Sequence, residues 1–149
     1  MGELHLRVRR AAVRDFEVVT QLLAELGRPA PAAEARGQVR GTYERHLARP
    51  EIASLVAEVE GAVVGFCSLE FRDRLNHATP EAWIPDLIVT HGSRRRGVAR
   101  ALLDAAFREA ADRKAHRITL ESGHQRTEAH LLYIAAGMTD AGKFFTRAL

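Results

Sequence analysis

The sequence predicts an α/β protein, a mixed sheet of roughly six to seven strands with about four helices divided between its two faces. Three observations carry that expectation. Apolar residues alternate at a period of two in several short stretches and recur at spacings of three and four in others. The stretches follow the order β, α, α, β, β, β, α, β, α, β. That is a hairpin run followed by a βαβαβ unit, and strands joined through a helix need helices packed over the sheet. Finally, the near-continuously apolar stretch Ala82–Val89 reads as a central strand.

In chain order, Leu4, Leu6 and Val8 alternate with His5, Arg7 and Arg9, the period of a half-buried strand. Val13 to Leu26 is helical, with Phe16, Val19, Leu22, Leu23 and Leu26 on one stripe and Gly27 as its stop. Ala32 to Ala48 reads as a weaker helix. Gly37 and Gly41 each cost about 1 kcal/mol against alanine there, so the segment is expected to be mobile or broken, a place for a substrate lid. Leu55–Val59 and Ala62–Phe71 are strands joined at Glu60-Gly61 as a hairpin. Within Ala82–Val89, Pro85 removes a ladder N–H, which calls for a bulge or a broken pairing. The next helix carries Ala99, Leu102, Leu103, Ala106, Phe107 and Ala110 on one stripe, with Asp104–Arg108 and Glu109–Arg113 as surface pairs. Ile118 and Leu120 mark a fifth strand and Thr127–Ala136 a last helix. Lys143–Ala148 is expected to close the sheet. With 149 residues and no linker or repeat, the chain reads as a single domain over 1–149.

Composition narrows the function. There are 22 basic against 19 acidic residues, and the basic ones cluster only at Arg94, Arg95 and Arg96. With aromatic residues at 6% and neither a recognition helix nor a stacking platform, a nucleic-acid partner is not expected. No apolar run approaches a membrane span. No pair of histidine, cysteine or acidic residues has zinc-ligand spacing with a third ligand, so no metal is expected. The single cysteine, Cys67, sits mid-strand without an evident base. It reads as a buried structural thiol, and its solitude fits a cytoplasmic protein.

The chemistry centres on Arg94-Arg95-Arg96-Gly97-Val98-Ala99-Arg100, between the apolar strand and the amphipathic helix. The first amides of a helix have no intrahelical acceptor, and the helix dipole adds positive charge there, so a strand, a tight turn and a helix start form an anion site. Gly97 and Ala99 let a phosphate approach, and arginines add charge-assisted bonds. The spacing is neither that of a Walker loop nor that of a dinucleotide fingerprint.

It has the form Arg-x-x-Gly-x-Ala and resembles the pyrophosphate loop of the GNAT N-acetyltransferase superfamily. A second match, Ala129-His130-Leu131-Leu132-Tyr133-Ile134-Ala135-Ala136-Gly137-Met138, is similar to that superfamily's late motif, Ala-x-x-aromatic-Tyr-x-x-x-Gly-aromatic. With the element order, the resemblance covers nearly the whole chain. It implies the acyl-CoA N-acyltransferase fold and acetyl-CoA as the acetyl source. The pantetheine arm would lie against Leu87, Ile88 and Val89, the pyrophosphate on the amides of Arg95, Arg96, Gly97, Val98, Ala99 and Arg100, and Arg94 and Arg96 would add phosphate contacts. The acceptor implied is a primary amine that attacks the thioester directly in a ternary complex. Tyr133 matches the family's general acid, and an amide near Val89 its oxyanion donor. Many relatives place a glutamate on the fourth strand where Pro85 stands here, so the base stays open. Asp86 either faces the acceptor or ties down a loop. Glu44, Asp73 and Glu81 are available as an acidic lining for a cationic acceptor. Dimers are common in the family and admit a homodimer, although no apolar face forces one. The alternative is a catalytically silent acetyl-CoA-binding regulatory module.

Overall fold

The computed structural model describes residues 4–149. Its regular elements are β1 (Leu6–Arg10), α1 (Phe16–Glu25), α2 (Arg36–Ala48), β2 (Ile52–Val59), β3 (Ala62–Arg72), β4 (Glu81–Val89), α3 (Val98–Asp112), β5 (Arg117–Leu120) and α4 (Thr127–Ala135). The strands form one sheet in the order β1-β2-β3-β4-β5, and β1 to β4 pair antiparallel. The chain then crosses through α3. His116 N, just before β5, donates to Pro80 O, just before β4, at 3.0 Å, so these last two strands start side by side and run parallel.

The expected six to seven strands are five among the described residues. The missing closure lies at Lys143–Ala148, which is irregular, with Phe144 63% and Phe145 84% exposed. Two adjacent phenylalanines point to opposite sides of any extended chain, and nothing alternates with them to give the segment a face to bury. Contacts divide the chain into a unit ending at Thr119 and a second unit, Leu120–Leu149. The second contains α4, where Tyr133 is buried and Leu131 and Ile134 are exposed.

Within the first unit the sheet is covered on both sides. Val19 and Leu22 of α1 pack with Val56, Phe66 and Ile88. Successive strand residues face opposite ways, and a Cβ on Gly65 would lie 2.9 Å from Leu102 Cδ1, so α3 holds the other side. The buried stripe of α3 is Val98, Leu102, Leu103, Ala106 and Ala110, with Phe107 only half-buried. Asp104 pairs with Arg100 rather than with the expected Arg108.

The second helix is not broken: α2 is continuous over 13 residues despite Gly37 and Gly41. Tertiary contacts offset the glycine cost. Tyr43 Oη donates to Ala12 O at 2.6 Å, and its ring lies 5.5 Å from that of Phe16. The Arg36 and Arg40 guanidiniums stand over the Phe16 ring at 5.4 and 5.3 Å.

Candidate active site

The site is built on β4 and the turn that follows it. Ser68 pairs with Asp86 and Glu70 with Trp83, so Ile84 and Pro85 together oppose Leu69. This is a bulge at the proline, as expected from its missing N–H. Past the bulge, Leu87, Ile88 and Val89 are buried. β4 has 9 residues and β5 only 4. Because the two strands start level, β4 outruns its neighbour, and Leu87–Val89 lie in the overhang.

The turn after β4 is fixed from several sides. A second bulge, at Val64 on β3, frees the Val64 carbonyl to accept from Thr90 N at 2.8 Å. Glu25, at the end of α1, accepts from Thr90 Oγ1 at 2.8 Å and from His91 N at 3.1 Å. Arg94 Nε donates back to Val89 O at 3.0 Å. The chain then takes the left-handed conformation twice, at Arg95 (φ 63°) and at Gly97 (φ 81°), which caps α3. A turn of this kind at a helix start leaves successive amides free to face an anion. Among the described residues, the amides of Arg95, Arg96, Gly97, Val98 and Ala99 donate to no backbone carbonyl; the first helical bond is Ala101 N to Gly97 O at 3.0 Å. A Cβ at Gly97 would meet nothing within 4 Å, so the space above the turn is open. Arg94, Arg95, Arg96 and Arg100 are exposed, and Val98 anchors the turn from below.

Asp86 does not stand open. Its Oδ1 accepts from Arg28 Nε at 2.9 Å and its Oδ2 from Ser68 Oγ at 3.3 Å, while Arg28 Nη2 reaches Pro85 O at 3.1 Å. Arg28 is delivered by the end of α1. Gly27 takes φ 99°, and Arg28 N bonds to Leu23 O at 2.9 Å, a left-handed helix stop. Cys67, one residue before Ser68, is wholly buried. Burial, with a contribution from the Asp86 charge, pushes its thiol up to about 12, which removes it as a nucleophile at neutral pH.

The acidic lining expected at Glu81 is corrected. Glu81 is 1% exposed and enclosed by Arg117 Nε at 2.7 Å, Arg72 Nε at 3.0 Å and Arg74 Nη1 at 3.6 Å. Burial works against its charge, but the hydrogen bonds from Arg117 and Arg72 outweigh it and hold the carboxyl below its usual range. Positive charge therefore surrounds this carboxylate, while Asp73 stays exposed between Arg72 and Arg74. Glu44 is likewise paired, with Arg40 at 3.3 Å. Beside the cluster, the His77 and His116 rings stack at 3.6 Å, and His116 Nδ1 lies 3.0 Å from Thr79 O. Among the described residues no group of three or more histidine, cysteine or acidic side chains could hold a metal ion, and no helix is long and apolar enough to cross a membrane.

In the second unit, Tyr133 is 9% exposed on α4, on the side of Ala129, Leu132 and Ala136, which are half-buried. Its carbonyl accepts from Met138 N at 2.9 Å across Gly137. His130 is half-buried one turn earlier. Sequence reasoning missed Glu25 and Arg28, whose roles depend on partners some sixty residues away. It also missed Glu70, although Ser68 and Glu70 share the parity of buried Phe66 and so put polar groups on a core-facing side.

A bulged central strand that leads into a turn of free amides at a helix start is the architecture of a site for an anionic ligand. The chain belongs to the acetyltransferase (GNAT) family, whose model matches residues 19–138, and it is an N-acetyltransferase. It is similar to the aminoalkylphosphonate N-acetyltransferase of Salmonella typhimurium, with 29% identity over 142 residues, 95% of this chain and 90% of that protein. Its fold is shared by a transcriptional regulator from Bacillus halodurans C-125, with a TM-score of 0.85, 22% identity, and 97% and 100% of the two chains covered. An aminoglycoside N-acetyltransferase solved with coenzyme A gives a TM-score of 0.83 at 20% identity, covering 99% of this chain and 97% of that one.

Proposed function

We propose that the protein transfers an acetyl group from acetyl-CoA to the primary amine of a small molecule, by direct attack within a ternary complex. The observation that supports this most is the Arg94–Arg100 turn, with amides lacking carbonyl partners, open space above Gly97 and a family match across it. Acetyl-CoA supplies an activated thioester at the end of a diphosphate-bearing arm, and the residues present fit such a group. The amides of Arg95 through Ala99 hold the diphosphate, with Arg100 beside them and the Arg94 and Arg96 guanidiniums adding charge. Leu87, Ile88 and Val89 offer the overhanging edge of β4 to the arm.

Tyr133 is proposed as the general acid, on the match of its motif to the family's. Asp86 is assigned positioning rather than proton abstraction, because both of its oxygens are engaged. It tethers the end of α1, through Arg28, to the bulge. The acceptor class finds support in the relatives, which are named for aminoalkylphosphonates and aminoglycosides, both small amines.

The test is an amine panel with radiolabelled acetyl-CoA, together with calorimetry for coenzyme A. Acetylation of at least one amine is the expected result, and binding without any turnover would establish a silent module instead. Two variants refine it. Gly97→Val forces a β-branched residue to a positive φ at a turn where nothing else collides. Coenzyme A affinity should fall about tenfold or more in protein that still folds, with the strain costing about 1–3 kcal/mol of stability, and unchanged affinity would remove the turn from the site. Asp86→Asn keeps the size and the bond to Ser68 but loses the charge that holds Arg28. Its kcat should fall less than about tenfold, against the loss of about 10²-fold or more that a general base would show.

A further inference from the structure

We infer that the acceptor is a short amine carrying an anionic group, and that one lane across β3 and β4 reads both of its ends. Glu70 takes the ammonium, and Arg72, Arg74 and Arg117 take the anion. This deepens the acetyl-transfer reading and rests on it.

The lane follows from register. Phe66 and Ile88 face α1. Two residues along β3, Ser68 bonds to Asp86; two further, Glu70 opposes Trp83; two further, Arg72 opposes and pairs with Glu81. All lie on the same side of the sheet, since side chains alternate. Helix α1 covers the first step of the lane. At the third step Glu70 and Trp83 are only half-buried. Glu70 makes no ion pair or side-chain hydrogen bond among the described residues. A half-buried carboxylate held between a tethered aspartate and an arginine cluster is available for a cation.

Beyond it the charge reverses. Three guanidiniums meet the Glu81 carboxylate, an excess of one positive charge once exposed Asp73 between Arg72 and Arg74 is counted, and the Arg72, Arg74 and Arg117 side chains remain 41%, 47% and 59% exposed. Arg72 also lies over the Trp83 ring at 4.7 Å, which fixes its plane. Two residues of extended strand separate Glu70 from Arg72, roughly 7 Å. Given the reach of an arginine side chain, that suits an amine and an anion a few bonds apart. A cationic acceptor would be repelled there, and an uncharged tail would gain nothing. A phosphonate or phosphate would gain charge-assisted, fork-shaped contacts.

In the reaction Glu70 accepts one proton from the ammonium. The freed amine forms the C–N bond as the C–S bond breaks. Of the two protons the nitrogen loses, one leaves through Glu70 to water and the other ends on the sulfur as the thiol of free coenzyme A.

The experiment uses the full chain with aminoethylphosphonate and with propylamine as the uncharged-tail control. Steady-state kinetics are followed by coenzyme A release, and aminoethylphosphonate binding by calorimetry. Aminoethylphosphonate should exceed propylamine in kcat/KM by about 10²-fold or more. Arg74 is the remotest of the three from Glu81, so Arg74→Gln leaves Arg72 and Arg117 to hold the buried carboxylate. It should raise both KM and Kd for aminoethylphosphonate about tenfold, so that the preference for aminoethylphosphonate over propylamine narrows by a similar factor. Glu70→Gln should lower kcat about 10²-fold with both amines. Equal use of the two amines, an Arg74→Gln variant with wild-type Kd, or full kcat in Glu70→Gln would overturn the inference while leaving acetyl transfer standing. Failure of wild-type protein to bind coenzyme A or to acetylate either amine would instead remove the reading beneath it.

Discussion

Phenylalanine at position 133 is expected to lower turnover by about 10²-fold or more, the scale of a single general acid, while coenzyme A affinity stays at the wild-type level. The change removes only the hydroxyl. The ring remains on the buried side of α4, and the backbone bonds that close the helix, from Ala136 and Met138 to the Tyr133 carbonyl, do not involve the side chain. The family motif is the reason to expect chemistry there, since a buried tyrosine by itself is commonly a packing residue with a satisfied hydroxyl. Three measurements separate the two roles. Calorimetry gives coenzyme A affinity, thermal unfolding gives stability, and single-turnover acetylation of a good amine gives the chemical step. A packing role predicts lower stability with near-normal turnover. An acid predicts the reverse, and recovery of rate with acceptors whose own protons can reach the sulfur. Wild-type single-turnover rates would end the assignment.

Much of the fold is legible in the sequence because its elements are amphipathic and the period of each is clean. The β2–β3 hairpin, the α3 stripe and the Pro85 bulge each follow from a local rule: a turn signal, a spacing of three and four, a missing N–H. What is not legible depends on partners. Gly37 and Gly41 argue locally for a broken helix, yet α2 is continuous, because Phe16 and Ala12 supply contacts from elsewhere in the chain. The phenylalanines at 144 and 145 suggest a strand only until one asks what face they would bury. The site divides the same way. The turn at Arg94–Arg100 is a local signal. The fate of an acidic residue is not, since nothing in the sequence says that Glu81 will be enclosed by Arg72, Arg74 and Arg117, or that Asp86 will hold Arg28. Because those arginines come from β3, the loop after it and β5, a carboxylate that reads as open along the sequence is enclosed by positive charge in three dimensions.

The largest effect on stability is expected at Arg9. Its guanidinium meets Asp15 through Nη1 at 2.8 Å and Nη2 at 3.0 Å, and Glu58 through Nε at 2.7 Å. All three side chains are largely shielded, at 12%, 5% and 18% exposure for Arg9, Asp15 and Glu58. Asp15 also accepts from Ala12 N at 2.7 Å, so the cluster joins β1 and β2 to the start of α1. Arg9→Leu keeps an apolar stem but leaves two shielded carboxylates facing each other without a cation. Breaking a buried pair from one side costs about 3–5 kcal/mol, because the remaining charge is neither paired nor solvated. At this chain length that corresponds to a fall in Tm of roughly 10 °C. The sign of the pH dependence provides a second check. Hydrogen bonding from Arg9, against the opposing effect of burial, holds the Asp15 carboxyl below its ordinary value of 3.8. A depressed carboxyl contributes stability that is fully present above its unfolded value and is lost as pH falls through the folded one. Wild-type protein should therefore lose this contribution below about pH 4, whereas Arg9→Leu has none to lose. The gap in Tm between them should be widest near neutrality and close on acidification. A gap that is constant with pH would mean that Arg9 stabilises through the packing of its stem, and that the charge cluster joining β1 to α1 carries little of the fold's stability.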